Sequence, residues 1–293
     1  MSEIKTPDFM IAGFNRSGTS TLHHLLSLHP KICMSDPKEI HFFVVNDRYN
    51  KGLEHYNDYF KNCEEGQIRG DASPTYIYKG QIYKSSIKDY IWGGDEDGIR
   101  RMKPIFPDMK MIVSLRHPVD NAMSNFEKTK VIGLEKPDAN FEEALAEEER
   151  GERKPQDTHN CYLYKTRYNI HIKHLLEHYP KENILFMVFE DWTKNQQAAM
   201  DKICKFLGVP ELTLPQEDVF LNEGKSTKMP FLKKVLEAVL PYRIAHGLYL
   251  RIGTSEGYKR QDDGAKSRLL KQYYADDIHE MERLTGLDLS CWT

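Results

Sequence analysis

Phe9-Met10-Ile11-Ala12-Gly13, running straight into Phe14-Asn15-Arg16-Ser17-Gly18-Thr19-Ser20-Thr21-Leu22, is the stretch on which the fold turns. Its first five residues are short and nearly all apolar, as a strand covered on both faces must be. Gly13 and Gly18 then bracket a polar turn, and a helical pattern opens at Thr19 and runs to Leu28. A strand that feeds a helix through such a turn presents backbone N–H groups at a helix N-terminus, where phosphates bind. The nucleoside-triphosphate loop, GxxxxGK[ST], has the same glycine spacing, but its lysine position holds Thr19 here. Arg16 stands inside the loop instead. These residues describe a phosphate loop built for something other than a magnesium triphosphate. Taken alone, they also fit a strand-to-helix turn that holds no ligand.

Outward from this stretch, Met109–Leu115 and Ile184–Phe189 repeat the short apolar pattern, and Gln67–Gly70 repeats it more weakly, near a sheet edge. Helical patterns lie between and after them: Val119–Lys130, Phe141–Arg150, Tyr162–His178, Trp192–Leu207, Phe231–Val239 and Lys266–Leu284. Strands alternating with helices predict an α/β fold, P-loop-like and three-layered (α/β/α), around a parallel sheet of about four to five strands. With no repeat and no low-complexity linker, residues 1–293 are expected to form one domain; Trp92–Gly98 reads as a mobile loop.

The chain has 293 residues, 40% hydrophobic and 29% charged, which suits neither a disordered chain nor a membrane span. The opening MSEIKTPDFMIAGF lacks the pattern of a signal peptide, so a cytoplasmic location is expected. A formal net charge of -3 argues against a nucleic-acid partner. The five cysteines, Cys33, Cys63, Cys161, Cys204 and Cys291, form no close pair and read as free thiols in a reducing compartment. His171, His174 and His178 have helical spacing but read as ordinary helix histidines, and no metal is expected.

A second informative stretch is Leu115-Arg116-His117-Pro118, with Ser124 eight residues beyond Arg116. Arg116 closes a strand, and Pro118 suits the first turn of the next helix. An arginine at the carboxyl end of a parallel strand faces the crevice where such sheets bind ligands. Arg116 and Ser124 can meet a second phosphate, one with a planar fork and the other with a hydroxyl.

Arg16-Ser-Gly-Thr, together with the Arg116/Ser124 pair, resembles the sulfotransferases that use 3′-phosphoadenosine 5′-phosphosulfate (PAPS). Three further segments resemble the carbohydrate members of that family: Pro37-Lys38-Glu39-Ile40-His41-Phe42-Phe43, Gly70-Asp71-Ala72-Ser73-Pro74-Thr75-Tyr76, and the closing Leu284–Trp292. The resemblance runs from about residue 8 to the end. It implies that Arg16, Ser17, Gly18, Thr19, Ser20 and Thr21 hold the 5′-phosphosulfate and that Arg116 and Ser124 hold the 3′-phosphate. It also implies that Lys225 and Lys228, in a late basic loop, are further 3′-phosphate contacts. Glu39 matches the family's catalytic glutamate and is the expected general base, with His41 behind it; Arg16 is expected to stabilise leaving-group charge. Many relatives carry lysine where Arg16 stands, and lysine again where Ala72 stands. The cysteine pair of the vertebrate Golgi enzymes has no evident counterpart, which points to a bacterial protein.

The implied reaction moves a sulfuryl group from PAPS, without a metal, to a hydroxyl on a saccharide or glycolipid. Two other readings are a magnesium-dependent kinase with a degenerate loop and a non-catalytic protein that retains PAPS or its product. Adenine stacking is expected on an aromatic side chain, with Phe14, Phe220 and Phe231 as candidates.

Overall fold

A computed structural model describes residues 6–215, 225–227, 254–256 and 263–292. The described parts of Met1–His117, Arg167–Leu221 and Tyr274–Thr293 make one compact unit, and those of Pro118–Thr166 and Asn222–Tyr273 make a second.

The first unit is built on five parallel strands: β1 (Phe9–Gly13), β2 (Ile32–Met34), β3 (Ile68–Asp71), then, after the antiparallel pair β4 (Gln81–Tyr83) and β5 (Tyr90–Trp92), β6 (Lys110–Leu115) and β7 (Ile184–Val188). Their order across the sheet is β2-β3-β1-β6-β7. The chain leaves β1 toward one side of the sheet and returns through β6 on the other, so the loop after β1 sits where the strand order reverses. That is where open α/β sheets bind ligands. The expected α/β architecture and strand number hold. Gln67–Gly70 proves to lie one strand in from the edge, as β3, and the edge is β2, too short to show as a pattern in sequence.

One face of the sheet is packed by apolar side chains from two helices. Leu22 and Leu26 of Thr19–Ser27, and Met200, Ile203, Cys204 and Leu207 of Gln196–Leu207, cover Phe9, Ile11, Ile112 and Met187 of the strands. The apolar positions recur at helical spacing in both helices, which is why each buries a single face. Gly208, at φ 79°, closes the second helix in a left-handed C-cap.

The predicted helix Tyr162–His178 is two helices, Tyr162–Thr166 and Tyr168–His178, broken at Arg167 with φ -77° and ψ 77°. Likewise Lys266–Leu284 divides into Asp263–Tyr273 and Ala275–Thr285, and Trp192–Leu207 into Phe189–Trp192 and Gln196–Leu207. The segment read as a mobile loop contains the end of β5 and, at Asp97, a buried N-cap that accepts from Arg100 N at 3.0 Å. Phe231–Val239 lies outside the described residues.

In the second unit, the helix Pro118–Ile132 packs with Tyr162–Thr166 and with β8 (Lys225–Thr227), which pairs antiparallel with β9 (Thr254–Glu256). Thr129 Oγ1 and Tyr162 OH are 2.6 Å apart, and Lys266 pairs with Asp120 at 2.7 Å.

The reading of all five cysteines as free is corrected. Cys33 and Cys63 form a disulfide, with Cα atoms 5.5 Å apart across a sequence separation of 30. The β2–β3 pairing and the helical turn Asp58–Phe60 fold the intervening chain back on itself, a proximity no sequence spacing reveals. The argument from unpaired cysteines to a reducing compartment falls with it. Cys161, Cys204 and Cys291 carry free thiols.

Candidate active site

The β1 loop is held in shape from behind. Phe14 N donates to Ser114 O at 2.9 Å, Ser114 Oγ donates to Ser17 O at 2.7 Å, and Trp192 Nε1 donates to Ser114 Oγ at 2.9 Å. Arg116 Nη1 donates to Arg16 O at 3.0 Å while its guanidinium lies 4.9 Å over the Phe189 ring. Tyr78 OH accepts from Asn15 N at 3.3 Å. Loop carbonyls are thus taken up by the scaffold. The helix that follows begins without a side-chain cap, so its first-turn amides have no acceptor within the helix.

Gly18 has φ 77°, and a Cβ there would stand 2.4 Å from Trp192 Cζ2. Arg16 also takes a positive φ, 65°. Such backbone is costly for an arginine and persists where surrounding structure dictates it, a pattern that clusters at ligand sites. Ser17, Thr19 and Thr21 are buried, while Arg16 and Ser20 are half-buried.

Glu39 follows the edge strand β2, in a segment with two further left-handed residues: Glu39 at φ 65° and His41 at φ 52°. Two networks hold it. Glu39 N donates to Ala72 O at 3.2 Å, His41 N to Ser73 Oγ at 3.0 Å, and Phe42 N to Tyr76 OH at 2.9 Å. Ser73 Oγ, Tyr76 OH and Tyr56 OH all donate to the carboxylate of Asp71, at 2.7, 2.8 and 2.8 Å. Asp71 is fully buried, and burial pushes its pKa up against those three donors. The Glu39 loop is therefore anchored through side chains to the end of β3.

The Glu39 carboxylate meets Lys38 Nζ at 2.5 Å and lies 3.6 Å from His41 Nε2, while His41 Nδ1 is 2.8 Å from Thr75 Oγ1. Burial works against the Glu39 charge, but the neighbouring His41 ring and the Lys38 ammonium outweigh it and lower the pKa to about 2. The group is ionised at neutral pH. A cavity of about 360 Å³ opens beside Lys38, lined also by His23, Met34, Asp36, Asn62 and Gln67.

Ser124 lies in the Pro118–Ile132 helix of the second unit and is buried. Lys225 lies in β8, whose backbone packs against that same helix; Lys228 lies outside the described residues. Phe14 is withdrawn as an adenine platform. It is fully buried, 4.4 Å from the Tyr168 ring and 5.7 Å from Tyr78. Phe220 and Phe231 lie outside the described residues. The sequence reading gave Asp71 no part in this site, although Asp71 stands inside a motif it quoted.

Compared with known families, residues 6–284 match the model of the sulfotransferase domain. The chain belongs to the sulfotransferase domain family. Its match to the bifunctional heparan sulfate N-deacetylase/N-sulfotransferase 2 of Bos taurus is 26% identical over 96% of this chain and 29% of that protein. To the human heparan sulfate glucosamine 3-O-sulfotransferase 3B1 it is 25% identical over 96% of this chain and 64% of that protein. The chain therefore spans less than two thirds of either relative. A crystal structure of a sulfotransferase from Alicyclobacillus acidocaldarius shares the fold, with a TM-score of 0.66, 23% identity and 98% of each chain covered. Among the described residues, no helix is long and apolar enough to cross a membrane.

Proposed function

We propose that the two units work as one sulfotransferase domain, which moves a sulfuryl group from PAPS to a saccharide or glycolipid hydroxyl. The uncapped helix N-terminus behind Gly18, at the point where the strand order reverses, carries this reading. The amides and hydroxyls of Ser17 to Thr21 bind the 5′-phosphosulfate, and Arg116, Ser124, Lys225 and Lys228 take the 3′-phosphate. Glu39 receives the acceptor's proton as its oxygen attacks sulfur in line. The bond from sulfur to the bridging phosphate oxygen breaks, and Arg16 steadies the charge that develops there. The products are a sulfate ester and adenosine 3′,5′-bisphosphate. The mixed polar lining of the cavity beside Lys38, and the names of the relatives, favour a saccharide acceptor. A bacterial, cytoplasmic setting belongs to the sequence reading alone.

The test is transfer of radiolabelled sulfate from PAPS to a panel of saccharides and glycolipids without added magnesium. Transfer to a saccharide is the expected result. Phosphate transfer from ATP with magnesium would favour a kinase, and binding of PAPS without transfer would favour a retaining protein.

A further inference from the structure

The helix Tyr168–His178 ends in His174-Leu175-Leu176-Glu177-His178, which brings three potential ligands onto one turn. One ligand atom from each of His174, Glu177 and His178 lies within 4.8 Å of the others. Such a trio is common on helices and means little by itself. The state of His174 adds an independent observation. Its side chain is 1% exposed, and its Nδ1 has no hydrogen-bond partner. Buried polar atoms without partners are rare in native proteins and call for a physical cause.

The surroundings set the chemistry of each ring. His174 Nε2 stands 2.8 Å from Asp97 Oδ2, near enough for a charge-assisted contact although its angle is poor. The backbone amides of Arg100 and Gly80 already donate to the Asp97 carboxylate, at 3.0 and 3.3 Å. Asp97 thus faces Nε2 as a hydrogen-bond acceptor, which puts the ring proton on Nε2 and leaves Nδ1, 3.7 Å from Glu177 Oε2, with the lone pair. His178 Nδ1 stands 2.9 Å from the His174 carbonyl, which only accepts, so the proton sits on Nδ1 and the lone pair on Nε2. A buried carboxylate behind an imidazole whose other nitrogen is open is the arrangement that orients histidine ligands in metal sites.

We propose that His174 Nδ1, the Glu177 carboxylate and His178 Nε2 hold a divalent cation of the zinc class, with Asp97 as the positioning residue behind His174. Two imidazoles and a carboxylate make a borderline donor set suited to zinc, and water would complete the tetrahedron. The cation shares no residue with the phosphate loop and takes no part in sulfuryl transfer. Asp97 also accepts from Gly80 N at 3.3 Å, and Lys79 N donates to His171 Nδ1 at 3.2 Å. An occupied site would therefore clamp the end of this helix against the approach to β4, a few residues beyond the Ser73–Tyr76 anchor of the Glu39 loop. The site revises the reading of these histidines as ordinary helix residues.

Zinc chloride is titrated calorimetrically into tag-free, chelator-stripped full chain, with melting followed in parallel. One site with a Kd in the micromolar range or tighter, and a rise in Tm with zinc but not with magnesium, is the expected result. Glu177 is exposed and His178 half-buried, so Glu177→Gln and His178→Ala should fold as the parent does. Each should weaken zinc at least ~10-fold, and Asp97→Asn should cost the 10–100-fold typical of lost carboxylate support. The free thiols of Cys161, Cys204 and Cys291 also attract zinc, so stoichiometry alone does not decide. Zinc binding that survives both Glu177→Gln and His178→Ala unchanged, or no binding below millimolar zinc, overturns the proposal.

Discussion

With its carboxyl at about 2, Glu39 is ionised across the neutral range yet holds a proton poorly while Lys38 and His41 engage it. If it is the base, the rate is lost only as pH falls through that low value. The expected profile of kcat is flat from about pH 5 to pH 8, and a limb inside that range would remove Glu39 as the base. Glu39→Gln should leave the affinity for adenosine 3′,5′-bisphosphate within a few-fold, while kcat falls roughly 10²–10⁴-fold. Near-parental single-turnover rates in that variant would remove Glu39 from the chemistry. Asp71 offers a second test. It touches no substrate in this reading, but two of its three donors, Ser73 and Tyr76, hold the backbone of His41 and Phe42. Asp71→Asn should lower kcat with little change in KM for PAPS, since the base moves while the phosphate loop does not. At Ala72, where the family pattern has lysine, the surroundings do not suit one. The Ala72 side chain is fully buried in the apolar cluster with Phe9 and Leu22, so Ala72→Lys would bury an unpaired charge.

Among the elements, the turn from β1 into the Thr19–Ser27 helix is the one with least room for change. Gly18→Ala forces an alanine to a left-handed φ and drives its Cβ into Trp192 and Phe189. Adding the two costs gives about 2–5 kcal/mol, to be read by urea denaturation. The helices Tyr168–His178 and Ala275–Thr285 meet through Asp277, whose Oδ1 accepts from Asn169 N at 3.2 Å. Burial raises the Asp277 pKa to about 7, above its unfolded value of 3.8. The folded state therefore favours the protonated form. Its contribution to stability is fully present below about pH 4 and is lost as pH rises through about 7. Asp277→Asn keeps the acceptor without the charge, so it should raise Tm at pH 8 and leave it nearly unchanged at pH 4. Equal shifts at both values would remove burial of charge as the cause.

For the whole molecule, two measurements bear on what holds the chain together and what it holds. The Cys33–Cys63 bond closes a loop of about 30 residues, worth about 3–4 kcal/mol if it acts through the unfolded chain. Reduction, or Cys33→Ala with Cys63→Ala, should lower Tm accordingly; an unchanged Tm would mean the bond is absent in solution. Adenosine 3′,5′-bisphosphate at 100 times its Kd should add about 2.7 kcal/mol without magnesium, and ATP with magnesium much less. Equal shifts from both ligands would overturn the nucleotide assignment. What the sequence determined by itself is local. Apolar runs marked β1, β3, β6 and β7, and glycine spacing marked the turn from β1 into the next helix, because each signal lies within a few residues along the chain. Other features were decided by tertiary structure. The strand order that puts β1 at the reversal, the Cys33–Cys63 bond, the Asp71 anchor and the burial of Phe14 and Ala72 all join residues distant in sequence. The breaks at Arg167 and Tyr274 carry no glycine or proline, so no local rule marks them. Burial and pairing depend on which surfaces the sheet brings together, and that information belongs to no single segment.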